Sequence, residues 1–519
     1  MNSRGAGARG TSLLRYSPAL VLLAITIADS LRFADPDLWG HITFGQAVLA
    51  RHRLVFHDPY SYSAPGHLWL NHEWLSEVID AFSFNALGVF GLKAMKLALT
   101  GVTVIFIALS EAESGASELA QLGVLLATAA ILAPSMQFRP QLFTFALFAI
   151  LMFILVRHTY RRAAGLWIAI PMLALWANLH GGFIMGIAAL GTYAGASAVQ
   201  NYVNGRGLGD AVLVGAVTLG AIAATLVTPY GIGTWVAVGH ALGNPYTRTV
   251  VMDWQPLLRS IGAARRQGFA VLLYDALPLV LMAALAIAVA VSRDCEDLAI
   301  LAIAALMSIA ALVAMRNVPL AMIAIAAPLA RHGARAAARL RAPACANEAS
   351  ATPRAGAMNQ LLLSSVALAM LIGTGFFSDR LGAQEHYPAG AVAFMDAHHM
   401  HGNILDNFLW GEYLIWHTAP ASKVFMDGRY DTSYPQDVVR AFLRFHFDRP
   451  GAGAILSRWP HDYVMLPPDD PANRVIARHP EWKLIYRDRD TLLYARAGSA
   501  AAGIPGEPIA GVNPPAAFP

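Results

Sequence analysis

The chain has 519 residues, of which 56% are hydrophobic and 13% charged, with a formal net charge of +4. So few charges on so apolar a chain exclude an ordinary soluble globular protein and set the class as membrane. No run of Lys and Arg interleaved with aromatics is present to track a phosphate backbone, so nucleic acid is excluded as a partner.

In chain order, segments of roughly 20 apolar residues, the length that crosses a bilayer core, fall near 16–34, 91–110, 118–134, 141–157, 165–179, 182–200, 210–228, 269–292, 297–314, 317–330 and 359–377. The first follows a short basic start, as a signal peptide would, yet no small-residue cleavage site precedes Asp35-Pro36-Asp37, and it reads as a retained helix. With the N-terminus (Arg4, Arg9, Arg15) inside, alternate loops carry Arg157, Arg161 and Arg162, then Arg206, then Arg293, then the stretch from Arg331 to Arg354. That alternation satisfies the positive-inside rule. Cys295 and Cys345 both fall on the cytoplasmic side, so no disulfide framework is expected outside.

The opposite loops hold the chemistry. The first, residues 35–90, opens with Asp35 and Asp37 at the end of a span, a costly place for two carboxylates unless they are solvated or paired. It continues through His57, Asp58, His72, Glu73 and Glu77 with Trp39, Trp69 and Trp74, and its stretch Leu38–Leu49 has the spacing of an amphipathic interfacial helix. Shorter turns add Arg139, Asn178 and His180, Tyr230 and Asp253, and Arg316 with Asn317. A lone Arg at a helix end is ordinarily a snorkelling anchor; here carboxylates, imidazoles and two guanidinium groups are all expected at one membrane face. Arg139 and Arg316 suit bidentate phosphate binding, and a first-loop carboxylate suits proton abstraction from a hydroxyl or contact with a divalent cation.

From about residue 380 the pattern changes to short apolar runs separated by Gly, Pro and Asp turns, expected to form a small α/β domain over 379–498, with an Ala/Gly/Pro-rich disordered tail over 499–519. The expected architecture is therefore a polytopic α-helical membrane domain over 1–378, of about eleven transmembrane helices, carrying a small C-terminal α/β soluble domain on the periplasmic side of a bacterial inner membrane.

The blocks DPDLWGHITFGQ, WLNHEWLSE, WANLHGGF and MRNVPL, within this layout of acidic first loop, many spans and outer C-terminal domain, resemble the GT-C superfamily of polyprenyl-phosphate-dependent glycosyltransferases. The segment DNFLWGEYLIW followed by DGRYD is similar to the Trp-rich start of the outer domain in oligosaccharyltransferase catalytic subunits, through Trp410, Gly411, Tyr413, Asp427 and Arg429; the acceptor-sequon motif of that family is lacking. The resemblance implies an inverting glycosyltransferase that moves a sugar from a polyprenyl-phosphate carrier among the membrane lipids to a lipid, glycan or protein acceptor on the periplasmic face. By position, Asp37 or Asp35 is the implied base or metal contact, with Mg2+ or Mn2+ as the candidate cofactor. His72, Glu73, Arg139, His180, Arg316 and Asn317 are the candidate substrate-binding residues. DGRYD reads equally as a structural turn with a local ion pair. Two other classes stay open: a transporter or flippase, which would place ionisable groups inside several spans, where Asp275 is the main example, and a non-catalytic scaffold on the same fold.

Overall fold

The computed structural model describes residues 33–244, 251–264, 269–294, 296–340, 380–383, 386–504 and 517–518. Most of the first expected span, all of the eleventh, both cysteines, and Arg4, Arg9, Arg15, Arg341 and Arg354 lie outside these. The described residues divide into two compact units: those within 93–232 and 244–340 fall in the first, and those within 33–92, 233–243 and 380–518 form the second.

The helices, in chain order, are α1 (Leu38–Arg51), α2 (Trp74–Glu113), α3 (Glu118–Leu132), α4 (Gln141–Arg161), α5 (Ala169–Leu179), α6 (Phe183–Val203), α7 (Gly209–Ala224), α8 (Ile232–Gly243), α9 (Leu257–Ala264), α10 (Phe269–Ser292), α11 (Leu298–Val313) and α12 (Val318–Leu340). Five stretches are long and apolar enough to cross a membrane: α2, Glu118–Ser135, α4, α6 and Asp275–Ser292 within α10. Leu166–Leu179, Gly209–Ala224 and Leu298–Val313 are shorter apolar helices. The described spans thus fall where the hydropathy pattern places them, and the fold is the expected polytopic helical one with a small sheet-containing C-terminal domain.

In the first unit, α12 is the central helix. It packs on α10, α11, α3 and α4, and every residue from Val318 to Ala330 is buried. Ala321, Ala324, Ala326, Ala327 and Ala330 let the neighbouring backbones approach closely, the usual basis of helix association in a membrane fold. α6 packs on α7 and α11, and α5 on α7.

α2 is broken at Gly88, whose φ of 61° and ψ of −148° are non-helical; a Cβ would be strained at this positive φ, which glycine tolerates. The expected span 91–110 is the part beyond this break, and the part before it ends the expected first loop. One sequence expectation needs correction within this helix. Lys93 and Lys96 lie near the start of the span, fully buried, and Glu111 is buried just past its end; reading Asp275 as the main intramembrane ionisable residue passed them over.

The second unit holds both sheets. Three strands, β1 (Phe33–Ala34), β2 (Leu381–Ala383) and β8 (Ala517–Phe518), form one sheet in the order β1-β2-β8, β1 and β2 being parallel. This corrects two expectations. Phe33 and Ala34 were assigned to the end of the first span and are strand, and the expected disordered tail contains β8, whose Phe518 is fully buried against Trp39, Phe84 and Trp416. A buried aromatic in an otherwise Ala/Pro-rich segment supplies the apolar contact that the average composition hides.

The other sheet has five strands in the order β4-β3-β5-β7-β6, with β3 (Asn403–Leu405) parallel to both β4 (Lys423–Val424) and β5 (Tyr463–Leu466), and β7 (Leu492–Arg496) antiparallel to β5 and to β6 (Trp482–Arg487). The first expected loop completes this sheet. Val424 N–H donates to the Tyr60 carbonyl, Tyr62 N–H to the Val424 carbonyl (3.2 Å each), and Ser61 bridges Val424 in parallel register. The segment around Tyr60–Ser63 therefore covers the β4 edge, which an exposed strand would otherwise present unpaired. Helices α13 (Ala389–Ala397), α14 (Gly411–Thr418) and α15 (Gln436–His446) accompany the sheet, and α14 packs on α1.

Candidate active site

The acidic pair of the first loop separates into two roles. Asp35 is buried, and its Oδ1 accepts the N–H of Asp37 at 3.1 Å, a short Asx-type turn that fixes the entry to α1. Asp37 is the N-cap of α1 but makes no side-chain cap bond to it. Its carboxylate points instead to the loop after β4. A Cβ on Gly428 would lie 2.7 Å from Asp37 Oδ1 and 2.8 Å from Glu412 Oε1, so both carboxyl groups border one point. Gly40 and Gly411 make the approach possible: a Cβ on Gly40 would overlap the Glu412 carboxyl, and one on Gly411 would meet Asp427 Cβ at 2.6 Å. Three glycines thus close α1, the start of α14 and the β4 loop around these carboxyl groups, beyond the carboxyl ends of the parallel strands β3 and β4, where open α/β sheets place their ligands.

Glu412 is 4% exposed, and its Oε2 has no hydrogen-bond partner. Burial, and then the field of Asp37, push its pKa well above the ordinary carboxyl value, while Asp37 remains partly open to solvent. One helical turn after Asp37, His41 is buried and its Nδ1 lies 3.3 Å from Glu77 Oε1, while Asn71 Nδ2 donates to Glu77 Oε2 at 2.5 Å. Burial disfavours charge on His41, but the Glu77 hydrogen bond and the fields of Glu412, Glu77 and Glu73 outweigh it and raise its pKa well above the usual imidazole value.

Arg429 closes the floor of this cluster. Its Nε and Nη2 donate to the two Asp427 oxygens at 2.8 and 2.6 Å, its Nη1 lies 2.8 Å from Asp58 Oδ1, and the Tyr434 hydroxyl donates to Asp427 Oδ2 at 2.6 Å. The rings of Phe44, Tyr60 and Trp69 surround the guanidinium at 4.7 to 5.2 Å, a cation–π cage. Burial alone would lift the Asp58 carboxyl; Arg429 and the Ser61 hydroxyl beside it reverse the shift and hold it below the ordinary value. DGRYD is in this sense a structural turn with an ion pair, as one of its two readings had it, and it ties the first loop to the β4 loop.

Of the other candidates in this unit, His72 Nε2 lies 3.7 Å from Glu73 Oε1, both partly exposed. The remaining four lie in the first unit. Arg139 Nη1 donates to Asp253 Oδ2 at 2.9 Å, and the Arg316 guanidinium stacks 4.3 Å over the neighbouring Trp254 ring, so Asp253-Trp254 brings the two guanidinium groups to one segment. Lys96 Nζ lies 4.2 Å over the ring of Phe138, the residue before Arg139. His180 Nδ1 accepts from the Gly182 N–H at 2.9 Å and from the Thr144 hydroxyl at 2.8 Å, that hydroxyl accepting in turn from Trp176 Nε1–H at 2.8 Å. Those bonds place the His180 proton on Nε2 and hold the turn between α5 and α6. Asn317 Nδ2 donates to the Ala310 carbonyl at 3.0 Å, at the end of α11.

Among the described residues no group of three or more His, Cys, Asp or Glu is arranged to hold a metal ion, and Asp35 Oδ1 accepts a backbone amide.

No family model matches the chain and no curated protein sequence matches it. Solved structures do. ArnT from Cupriavidus metallidurans bound to undecaprenyl phosphate is similar over 96% of this chain and 99% of its own, with a TM-score of 0.50 and 12% identity. ArnT in the apo state is similar over the same shares, with a TM-score of 0.51 and 14% identity. This chain shares its fold with these ArnT structures. At such identities the likeness is one of fold. Within this fold the residues missed from sequence are His41, Glu412, Lys93 and Lys96. Glu412 stands between Trp410-Gly411 and Tyr413, inside a segment singled out for its aromatics, and Lys93 and Lys96 stand in an apolar span, where an ionisable residue signals function by default.

Proposed function

We propose that this chain is an inverting glycosyltransferase that moves a sugar from a polyprenyl-phosphate carrier to an acceptor hydroxyl at the periplasmic face of the bacterial inner membrane, with its N-terminus in the cytoplasm. The observation that carries the reading is Asp37: a carboxylate at the start of α1, unused as a helix cap and aimed with Glu412 at Gly428, in a fold shared with a protein crystallised with undecaprenyl phosphate.

In the step proposed, Asp37 accepts the proton of the acceptor hydroxyl as its oxygen attacks the anomeric carbon on the face opposite the phosphate. The bond from that carbon to the phosphate oxygen breaks, polyprenyl phosphate leaves with the electron pair, and the configuration inverts. Burial disfavours charge on Glu412, and the role of base is assigned to the more exposed Asp37. Arg139 and Arg316 are assigned to the donor phosphate, where guanidinium groups bind bidentately, with Lys96 beside Arg139. His72 and Glu73 are assigned to shaping the acceptor side, Glu73 through its field on His41. No step is routed through a metal ion.

The test is transfer from radiolabelled polyprenyl-phosphate sugars by purified protein in lipid. Asp37→Asn is expected to lower turnover about 10²- to 10⁴-fold, the contribution of a general base, with membrane insertion intact, whereas Asp35→Asn, at the turn, loses far less. Wild-type transfer by Asp37→Asn removes the mechanism.

A further inference from the structure

The second unit contains a cavity of about 400 Å³ formed by the later turns of α1, the segment before Ser61 and the end of α14 with its following turn. Thr43, Gln46, Arg51, Tyr60, Trp416 and Lys423 are among the residues lining it. The acid–base machinery above uses none of these except Tyr60, whose ring lies 5.2 Å from the Arg429 guanidinium.

The lining has three kinds of group in one place. Arg51, in the last turn of α1, and Lys423, at the start of β4, are two cations, and neither has a carboxylate partner among the described residues. Trp416 and Tyr60 offer aromatic surface. Gln46 and Thr43 offer acceptors: Gln46 Nε2 already donates to Asn85 Oδ1 at 2.9 Å and the Thr43 hydroxyl to the Trp39 carbonyl at 2.7 Å, which leaves the Gln46 carbonyl and the Thr43 lone pairs to receive hydroxyl protons. Two unpaired cations at a cavity rim attract an anion, aromatic faces take the C–H face of a sugar ring, and acceptors take its hydroxyls.

We infer that this cavity binds an anionic saccharide, a sugar phosphate or a uronic acid, free or at the end of a longer glycan. Taken with the proposed function, on which this part rests, the cavity is an acceptor subsite. Thr43 follows Asp37 by six residues on α1, about 9 Å along its axis, and Arg51 lies about 12 Å further. An acceptor held here by its anionic end reaches Asp37 only if it is longer than one sugar ring.

The test uses the full chain in phosphatidylcholine nanodiscs, with glucose 1-phosphate, glucuronate, glucose and inorganic phosphate as probes, read by isothermal titration and by acetylation of Lys423 followed by mass spectrometry. Glucose 1-phosphate and glucuronate are expected to bind saturably and protect Lys423, with glucose at least tenfold weaker and inorganic phosphate unaffected by Trp416→Phe. Arg51→Gln with Lys423→Gln is expected to weaken glucose 1-phosphate at least tenfold, and Asp37→Asn to leave its affinity unchanged. Equal affinity in the double variant, equal binding of glucose, or protection of Lys423 by phosphatidylglycerol nanodiscs with no saccharide present overturns the inference. If the double variant does not fold, protection of wild-type Lys423 decides alone. Loss of transfer in Asp37→Asn without saccharide binding by the wild type refutes the subsite and leaves the transferase; binding without transfer does the reverse.

Discussion

Gly428→Ala tests the carboxyl geometry with one methyl group. The new Cβ would stand 2.7 Å from Asp37 Oδ1 and 2.8 Å from Glu412 Oε1, while ordinary contact begins at 3.4 Å. Gly428 does not occupy the left-handed region, so alanine brings no backbone strain; the whole effect falls on the two side chains. Both must retreat by roughly 0.6 to 0.7 Å. Asp37 is partly exposed and can swing, but Glu412 is packed against Gly40 and can move only with α14. Misplacement near 1 Å costs about 10²-fold in rate, so turnover is expected to fall roughly 10- to 100-fold, about 1.4 to 2.7 kcal/mol of transition-state stabilisation. Overpacking is expected to cost about 1 to 3 kcal/mol in stability. The assay is transfer from a polyprenyl-phosphate sugar at saturating donor beside a thermal melt in the same detergent. Wild-type turnover with an unchanged melting temperature refutes the placement of Asp37 and Glu412 around Gly428.

Three further outcomes are expected. Asp58→Asn removes one of the two carboxylates that neutralise buried Arg429, and breaking such a pair costs about 3 to 5 kcal/mol, read as a lowered melting temperature. Because the folded pKa of Glu412 lies above its unfolded value, its contribution to stability is full below the unfolded pKa near 4.5 and is lost as pH rises through the folded value; Glu412→Gln, which mimics the neutral acid, should flatten the alkaline side of the melting curve, and an unaltered pH profile contradicts a neutral Glu412. Phe518→Ala should cost about 3 to 5 kcal/mol and change the fluorescence of Trp39 and Trp416, whereas a disordered tail would leave both untouched.

The helices were legible because a bilayer imposes one strong rule, length of apolar run; the bounds were less so, since the helix expected over 91–110 begins at Trp74 and the one expected over 317–330 runs on to Leu340. The distinction between Asp35 and Asp37 was not legible: two residues apart in one turn, they differ only in that one accepts a backbone amide and the other does not. The pairing of Asp37 with Glu412 was hidden for a different reason. It joins positions at opposite ends of the chain through three glycines, and a glycine in sequence does not announce which backbone it lets approach. Arg139 and Arg316 read from sequence as two guanidinium groups at one membrane face; that Asp253-Trp254 engages both depends on a turn whose sequence gives no periodic signal. The strand at 517–518 was lost to averaging, one buried aromatic in a segment whose composition is that of a tail.

The second unit takes β1 from near residue 33, its central strands from beyond 400 and β8 from 517–518. A chain made from its N-terminus therefore presents the first loop long before any of its partners exist. Closing such distant segments is slow, and until β2 is made, β1 has an open edge available to other chains. Assembly of this unit is then a late event, completed only after the described helices of the other unit have been synthesised.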